Sequence, residues 1–367
     1  MIIEDRDKFA PYLEARREKL LALMEKEDVP ALVVTHLPNV RYLSGFSGTA
    51  GTLLAMDGQF YFFTDFRYMS QAREQVSPLP IIESKDLNAD LARTLSSGKA
   101  PTLHFEADHL AWSKAEEMKS SFKDAALKPS KGLVERLRLI KDEAEVEALQ
   151  AIVDMQARVF PHALRLIRPG AKERDIAVEL EHLLRQEGAE GPAFDFIVAS
   201  GWRGAMPHGV ASEKTLSAGE LVTVDWGAKA WGYHSDNTRT MALGKVDKEL
   251  EEIYRITLEA NQAALDSIRP GVSVKAVDAV ARDIITKAGY GPNFGHGTGH
   301  GVGLAIHERP PVSWREDIPV ETGMVFTVEP GIYIPGKGGV RIEDMALATP
   351  EGARVLSQSI PKHFISI

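Results

Sequence analysis

The amino-acid sequence predicts two domains: an α/β domain with a mixed sheet over residues 1–130, and an α+β domain over residues 131–367. Three observations support this prediction. The chain has 367 residues, which is long enough for two domains of ordinary size. Segments of helical and strand periodicity alternate through the first 130 residues. In the remainder, an ordered series of motifs recurs about 100 residues apart.

The composition excludes several classes of function. The chain has 43 Lys and Arg against 52 Asp and Glu, and its formal net charge of −9 disfavours non-specific binding to nucleic acid or anionic membranes. It contains no cysteine, so disulfides, thiol nucleophiles, zinc–thiolate sites and iron–sulfur clusters are excluded. The first segment is charged, and no run of eighteen apolar residues occurs. We therefore expect a cytoplasmic protein in which histidines and carboxylates hold any metal ion.

The first 130 residues alternate between helical segments and short apolar runs. Asp7–Lys26 has the pattern of an amphipathic helix, and further helices are predicted over Arg67–Val76 and Ala111–Phe122. The predicted strands are rich in β-branched and aromatic residues and cover Ala31–His36, Gly51–Met56, Gln59–Asp65 and Thr102–Asp108. Lys128–Gly132 has the composition of a loop and marks the predicted domain boundary. A charged helix is expected to follow, from Glu135 to about Leu166.

The rest of the chain contains an internal repeat. Arg168-Pro169-Gly170 recurs as Arg269-Pro270-Gly271, 101 positions later, and each copy lies between two predicted helices. Further along, GELVTVDWG (Gly219–Gly227) matches GMVFTVEPG (Gly323–Gly331) at an offset of 104 residues. Each half of the domain is therefore predicted to consist of two helices followed by an antiparallel hairpin.

Each predicted hairpin carries two carboxylates: three of the four lie at the ends of apolar strands, and Glu343 lies within the predicted strand Val340–Leu347. The four residues are Asp225, Asp236, Glu329 and Glu343. Burial of four carboxylates among such strands costs several kcal/mol each unless ion pairs or cations compensate the charge. Arg239 and Arg341 lie close in sequence, but two basic groups do not neutralise four acids. The pattern therefore favours a cation-binding site over a purely structural set of ion pairs.

A glycine-rich segment, Phe294–Glu308, is the expected source of the nitrogen ligand. Glycine at alternate positions from 295 to 303 disfavours a helix and indicates backbone that passes close to a ligand or metal. The segment contains three histidines, His296, His300 and His307. Two Asp, two Glu and at least one His form an oxygen-rich set that suits two divalent ions. Manganese is the first expectation, and cobalt, zinc and iron are alternatives.

Six motifs of the second domain point to one known family. They are MPHG (Met206–Gly209), VTVDWGA (Val222–Ala228), SDNTRT (Ser235–Thr240), HGTGHGVGLAIHE (His296–Glu308), TVEPGIY (Thr327–Tyr333) and RIED (Arg341–Asp344). Together they resemble the "pita-bread" metallopeptidases of family M24, and in particular the Xaa-Pro branch with aminopeptidase P and prolidase. The resemblance covers essentially the whole chain. It implies a pita-bread catalytic domain preceded by a domain of the creatinase/prolidase N-terminal type.

The resemblance also implies a role for each candidate residue. The implied ligands of a dinuclear metal centre are Asp225, Asp236, His300, Glu329 and Glu343, with Asp236 and Glu343 bridging the two ions. His208 and His307 are implied to contact the substrate around the scissile bond, and His296 to lie near the prolyl residue. Arg341 is implied to fix a carboxylate at the substrate-binding site. As catalytic groups we expect Glu329 to carry a proton to the departing prolyl nitrogen, and His307 to donate to the oxyanion.

By the same resemblance, the expected reaction is hydrolysis of the peptide bond before proline, which releases the N-terminal residue. Arg41–Ala55 and Tyr61–Ala72 resemble aminopeptidase P more than prolidase, so prolidase is the alternative. Methionine aminopeptidase is a remoter alternative, because the first domain and the short separation of Glu329 from Glu343 count against it. A creatinase-like hydrolase or a non-catalytic binding protein is also considered, although no metal ligand is replaced. The implied partners are proline-containing peptides and a second copy of the chain in a homodimer.

Overall fold

A computed structural model describes residues 1–76, 78–98, 100–122 and 125–367 of the chain. The chain forms two compact units, Met1–Arg138 and Leu139–Ile367. The division between the units lies a few residues beyond the predicted boundary. Within the described ranges, no helix combines the length and the apolar character that crossing a membrane requires.

The first unit is built on a six-stranded mixed sheet. Its strands are β1 (Ala31–Val34), β2 (Thr52–Met56), β3 (Gln59–Thr64), β4 (Ile81–Glu83), β5 (Thr102–Glu106) and β6 (Ala126–Ser130). Its helices are α1 (Arg6–Lys26), α2 (Leu37–Ser44), α3 (Met69–Gln75), α4 (Leu87–Ser96), α5 (Trp112–Ser121) and α6 (Leu133–Arg138), with 3₁₀ turns at Ile2–Glu4 and Phe66–Tyr68. The spatial order is β4-β3-β2-β1-β5-β6, and β2 alone runs antiparallel to its neighbours. The predicted α/β class with a mixed sheet is confirmed.

The most apolar strands of the first unit lie in its interior. Every residue of β1 and β2 is buried, as expected for central strands of a sheet. Leu54 and Phe63 of the sheet pack with Leu91 of α4 and Met118 of α5 in one apolar cluster. One prediction is wrong here: Lys128–Ser130, expected as loop, belongs to β6. A proline is tolerated there because β6 is an edge strand, where one side of the backbone needs no partner.

The second unit repeats one order of elements twice. Its helices are α7 (Glu143–Leu166), α8 (Glu173–Gln186), α9 (Lys248–Ser267) and α10 (Val274–Lys287). The strands of the first half are β7 (Gly191–Pro192), β8 (Ile197–Ser200), β9 (Leu221–Trp226), β10 (Ala228–Ala230), β11 (Tyr233–His234) and β12 (Asn237–Ala242). Those of the second half are β13 (Gly299–Gly301), β14 (Glu308–Val312), β15 (Val325–Val328), β16 (Gly331–Ile334), β17 (Gly338–Arg341), β18 (Asp344–Thr349) and β19 (Gly352–Val355). Turns of 3₁₀ helix lie at Gly201–Ala205 and Gly291–Asn293.

The two halves use equivalent helices and strand pairs. Helix α8 corresponds to α10, and the antiparallel pair β9–β12 corresponds to β15–β18. The sheets that contain these pairs have the orders β12-β9-β8 and β14-β13-β15-β18-β19. The α+β class with an internal repeat is therefore confirmed. Apolar residues such as Ile253 and Val277 of α9 and α10 pack against Phe326 and Ala346 of the second sheet.

The predicted charged helix from Glu135 to Leu166 is interrupted. Helix α6 ends at Arg138, and α7 begins after Asp142, whose side chain accepts a hydrogen bond from the Glu145 backbone N–H at 3.0 Å. The Glu145 side chain in turn accepts from the Asp142 N–H, which completes a capping box. Between the helices, Ile140 forms a β-bridge with Met324. Charge periodicity alone did not reveal this break, because the cap residues are as polar as the helix.

Candidate metal centre

The two repeated strand pairs carry the four predicted carboxylates. Asp225 lies in β9 opposite Thr238 of β12, and Asp236 is the residue before β12. Glu329 directly follows β15 and Glu343 directly precedes β18. Because apolar residues of these strands fill the core, the polar residues at their ends are directed to one common region. The internal repeat thus places two carboxylates from each half side by side.

The side chains of these residues lie close enough to share a cation. Ligand atoms of Asp236, His300 and Glu343 all lie within 4.8 Å of one another. His300 Nε2 is 3.4 Å from Asp236 Oδ2 and 3.4 Å from Glu329 Oε1. The backbone carbonyl of Gly301 lies 3.1 Å from His300 Nδ1, so a proton on Nδ1 leaves the Nε2 lone pair directed to the carboxylates. This is the arrangement that a metal-binding imidazole needs.

Burial and mutual repulsion oppose ionisation of these acids. Burial raises the pKa of Asp225, although the guanidinium of Arg341 opposes the shift. The pKa values of Asp236 and Glu343 are raised well above their usual range, first by burial and then by neighbouring carboxylates. Such groups release their protons readily only when a cation takes the place of the protons.

Two carboxylate oxygens near His300 have no hydrogen-bond partner in the described part of the chain. Asp225 Oδ1 and Asp236 Oδ1 are both buried and without a donor among the described residues. An unsatisfied buried polar atom costs about 1–3 kcal/mol, and more when it is charged. Divalent cations coordinated by these oxygens would remove that cost, so the residues present fit a metal centre.

The two nearby arginines have different roles. Arg341 is buried, and its Nη2 donates to Asp225 Oδ2 at 2.7 Å. Its other nitrogens donate to Thr238 Oγ1 and to the Tyr333 hydroxyl, each at 3.1 Å. Arg239 instead pairs with Asp344 at 2.8 Å. Of the two arginines that lie close in sequence to the four acids, only Arg341 forms an ion pair with one of them, so the deficit of positive charge is larger than the sequence indicated.

Glycines let the histidine strand approach its neighbours. A Cβ on Gly299 would lie 1.9 Å from the Thr327 carbonyl oxygen, and one on Gly301 would lie 2.1 Å from that of Arg309. Strand β13 therefore fits between β14 and β15 only without side chains at these positions. The His300 N–H donates to Thr327 Oγ1 at 3.0 Å, and this hydroxyl donates to Glu329 Oε1 at 3.1 Å.

We expect Gly299→Ala to disrupt the metal centre while Gly295→Ala leaves it intact. The new methyl group at position 299 would force β13 away from β15 and move His300, whereas a Cβ at position 295 meets no atom within 4 Å. Metal content by elemental analysis and the thermal melting temperature would show the difference. Equal metal content and melting temperature in the two variants would contradict this account of the segment.

The other candidate histidines line the same cavity, which has a volume of about 430 Å³. The His307 ring lies 4.3 Å from that of His300, and burial is the main cause that lowers the pKa of His307. His296 contacts the Tyr333 hydroxyl at 2.9 Å through Nε2, and burial lowers its pKa as well. His208 is exposed at the wall of the cavity. Both of these half-buried imidazoles are therefore neutral near pH 7.

All the predicted site residues line this one cavity, and the structure adds others. The predicted set is His208, Asp225, Asp236, His296, His300, His307, Glu329, Arg341 and Glu343. The additional side chains are mostly apolar and include Phe194, Ile197, Val210 and Ile306. Their only sequence signal is proximity to the histidine motifs, since isolated apolar residues are otherwise unremarkable in sequence. They give the cavity an apolar wall beside the carboxylates.

Comparison with known proteins places the chain among characterised folds. Residues 147–350 match the profile of "Metallopeptidase family M24", and residues 16–140 match that of the "Creatinase/Prolidase N-terminal domain". A solved structure described as an Xaa-Pro dipeptidase from Bacillus anthracis is 42% identical, with 97% of this chain and 100% of that chain covered and a TM-score of 0.94.

Two further relatives carry related descriptions. The Xaa-Pro dipeptidase of Pyrococcus horikoshii is 38% identical over 93% of this chain and 96% of its own length. The X-Pro aminopeptidase structure from Thermotoga maritima MSB8 is 36% identical, with 92% of this chain and 97% of that chain covered and a TM-score of 0.87.

Proposed function

Because the chain belongs to metallopeptidase family M24, with a creatinase/prolidase N-terminal domain before a pita-bread domain, we propose that this peptidase is an Xaa-Pro dipeptidase. The observation that carries the proposal is the convergence of four carboxylates and His300 on one cavity, in a chain 42% identical to a protein described as an Xaa-Pro dipeptidase. The comparisons thus support the dipeptidase better than the aminopeptidase P activity expected from Arg41–Ala55 and Tyr61–Ala72.

Five side chains would hold two divalent ions, namely Asp225, Asp236, His300, Glu329 and Glu343. When bound, the ions polarise the carbonyl before proline and render a water molecule nucleophilic near neutral pH. The unsatisfied oxygens of Asp225 and Asp236, and the nitrogen of His300 directed at the carboxylates, support this assignment. Manganese is the proposed metal, with cobalt, zinc and iron as alternatives, because carboxylate-rich sites accept all four.

Glu329 is the proposed proton carrier. Its side chain is 17% exposed, whereas Asp236 and Glu343 are almost completely buried, so it is the most accessible of these carboxylates. The hydroxyl of Thr327 donates to its Oε1 and fixes the orientation of the carboxylate. In this position it takes a proton from the attacking water and delivers it to the prolyl nitrogen, which cannot leave unprotonated.

The histidines and the apolar wall complete the proposed substrate site. His307, neutral near pH 7, retains an N–H that donates to the oxyanion as the carbonyl carbon becomes tetrahedral. His208 contacts the substrate beside the scissile bond, and His296 lies near the prolyl residue. Arg341 acts by holding Asp225, because the guanidinium already donates to protein oxygens. The apolar wall fits the prolyl ring, whose tertiary amide offers no N–H to recognise.

Turnover of Ala-Pro and Ala-Pro-Ala tests the proposal. After loading with manganese, we expect kcat/KM for the dipeptide to exceed that for the tripeptide by about tenfold or more, because a site specific for dipeptides discriminates against the additional residue. Preference for the tripeptide would favour aminopeptidase P, the second candidate, which the Thermotoga maritima relative supports. Hydrolysis of Met-Ala at a rate equal to that of Ala-Pro would contradict both. Light scattering would test the proposed homodimer separately.

A further inference from the structure

Two buried carboxylates outside the metal centre occupy equivalent helices of the repeat. Glu173 is the first residue of α8 and is fully buried, and Asp278 lies in the first half of α10 with 1% exposure. Neither lines the cavity. A buried acid that takes no part in chemistry still needs compensation, so the residues that surround each of them show what it holds in place.

Glu173 ties together the two ends of an irregular segment. Its Oε1 accepts from the backbone N–H and the hydroxyl of Ser200, both at 2.8 Å. Its Oε2 accepts from the N–H and the hydroxyl of Ser212, at 3.2 and 2.7 Å, and pairs with the guanidinium of Arg203. Arg203 Nη2 in turn donates to the Val210 carbonyl at 2.8 Å. One carboxylate therefore fixes residues 200–212 at both ends and in the middle.

The segment held by Glu173 carries His208. The imidazole of His208 is exposed in the cavity wall and makes no hydrogen bond or ion pair within the described ranges. Its position therefore depends on its backbone, because among the described residues no hydrogen bond or ion pair of the ring orients it. The adjacent backbone is held by Arg203 through Val210, and by Arg341 through the Pro207 carbonyl at 3.1 Å.

Asp278 holds the opposite histidine segment with the same chemistry. Its Oδ1 accepts from the backbone N–H and the hydroxyl of Thr298, at 3.0 and 2.8 Å. It pairs with Arg282 at 2.8 Å, and Arg282 donates to the carbonyls of Phe294 and His296, at 3.0 and 2.8 Å.

The position of Arg282 is fixed from two sides. Its guanidinium lies 4.3 Å from the centre of the Phe294 ring and 4.4 Å from that of Trp314. Because these contacts and the Asp278 carboxylate restrict the guanidinium, the carbonyl of His296 is held at a defined place. The Thr298 carbonyl in turn accepts from the Glu329 N–H at 2.7 Å, so the same network reaches the proposed proton carrier.

We propose that Glu173 and Asp278 are positioning residues that act through the histidine segments on the two sides of the cavity. Glu173 positions His208, and Asp278 positions His296. In both cases a buried carboxylate accepts the N–H and O–H of a Ser or Thr. An arginine links it to a backbone carbonyl, which is that of His296 itself in one case and that of Val210, two residues after His208, in the other. Displacement of a substrate-contacting group by about 1 Å can cost up to 100-fold in rate. The kinetic part of this proposal rests on the proposed function, and the structural part does not.

Hydrogen–deuterium exchange tests the structural part without any substrate. In E173Q, the new amide NH₂ faces groups that are themselves donors, so we expect faster exchange in peptides covering residues 200–212 and unchanged exchange over 294–300. D278N should give the converse pattern. The exposed acids Glu179 and Asp283 lie on the same two helices, and E179Q and D283N serve as matched controls with wild-type exchange. Wild-type exchange in both segments of E173Q and D278N would overturn the proposal.

Double-mutant cycles on Ala-Pro hydrolysis test the kinetic part. We expect E173Q to lower kcat about tenfold with full metal content, and to have little further effect when His208 is already Ala. D278N should behave in the same way with His296→Ala. A purely structural role would give additive losses in both cycles, and this outcome would overturn the positioning role. If E173Q does not fold, R203K retains the charge and tests the link to Val210.

Failure of the proposed function has a separate signature. If the wild-type chain hydrolyses no Xaa-Pro peptide, the exchange patterns still decide whether the two carboxylates hold the histidine segments. Conversely, normal Ala-Pro hydrolysis with unaltered exchange in both variants would overturn the positioning role alone.

Discussion

Glu343→Gln is expected to abolish peptidase activity without unfolding the protein. Glu343 is 1% exposed, and its Oε2 accepts from the Thr238 hydroxyl at 2.7 Å. Removal of a metal ligand should lower activity more than removal of a residue that only supports a ligand, which typically costs roughly 10–100-fold. We therefore expect kcat/KM to fall by about 1,000-fold or more. Bound metal should fall below two ions per chain in elemental analysis. Asp236→Asn is expected to behave in the same way.

The stability of the same variant provides the control. Burial and the neighbouring Asp236 raise the pKa of Glu343, so without metal the amide replaces a carboxyl group whose ionised form the fold opposes. Metal-free E343Q should therefore melt at the same temperature as the metal-free wild type, or higher. Glu351, an exposed acid in a turn, offers E351Q as a variant with wild-type activity and metal content. Full activity of E343Q with two bound ions would exclude Glu343 as a ligand.

The sequence predicted which polar residues line one cavity because the pattern that carries them is local and repeated. Strand ends with carboxylates recur in both halves, and a segment that alternates glycine with other residues has few purely structural explanations. The sequence offset between the two repeated motifs alone identifies Asp225 and Glu329 as equivalent residues, and the structure brings both to one cavity. The apolar wall was expected as a property of the site, but Phe194 and Ile306 were not identified, because nothing in sequence separates them from core residues.

What the sequence did not reveal depends on tertiary partners. Glu173 and Asp278 lie in the amino-terminal part of their helices, where acids are common for reasons of helix capping and dipole. Only the surrounding structure shows that they are buried and accept from Ser200 and Thr298. The pairing of Arg239 with Asp344 was missed for the same reason. Similarly, Pro129 was read as a loop residue because an edge strand cannot be distinguished from a loop by composition.

Metal removal is expected to destabilise the protein, and increasingly so as the pH rises. Burial raises the folded-state pKa of Asp225, Asp236 and Glu343 above the values of the unfolded chain. The metal-free folded state therefore binds more protons than the unfolded state once the pH exceeds about 4, the ordinary carboxyl pKa. By linkage, each excess proton lowers the stability of the metal-free protein by about 1.4 kcal/mol per pH unit in this window. Bound cations replace these protons.

The difference between the melting temperatures of the metal-loaded and the chelator-treated protein isolates this effect. His296 and His307, whose pKa values are lowered by burial, favour folding as the pH rises, but they are present in both samples and largely cancel in the difference. Scanning fluorimetry from pH 5 to pH 8 should show the difference widening, and widening less for Glu343→Gln, which has one acid fewer to deprotonate. A difference that is constant with pH would mean that the buried carboxylates are neutralised by the protein itself. In that case the shortage of positive charge around Asp236 and Glu343 would no longer require a metal.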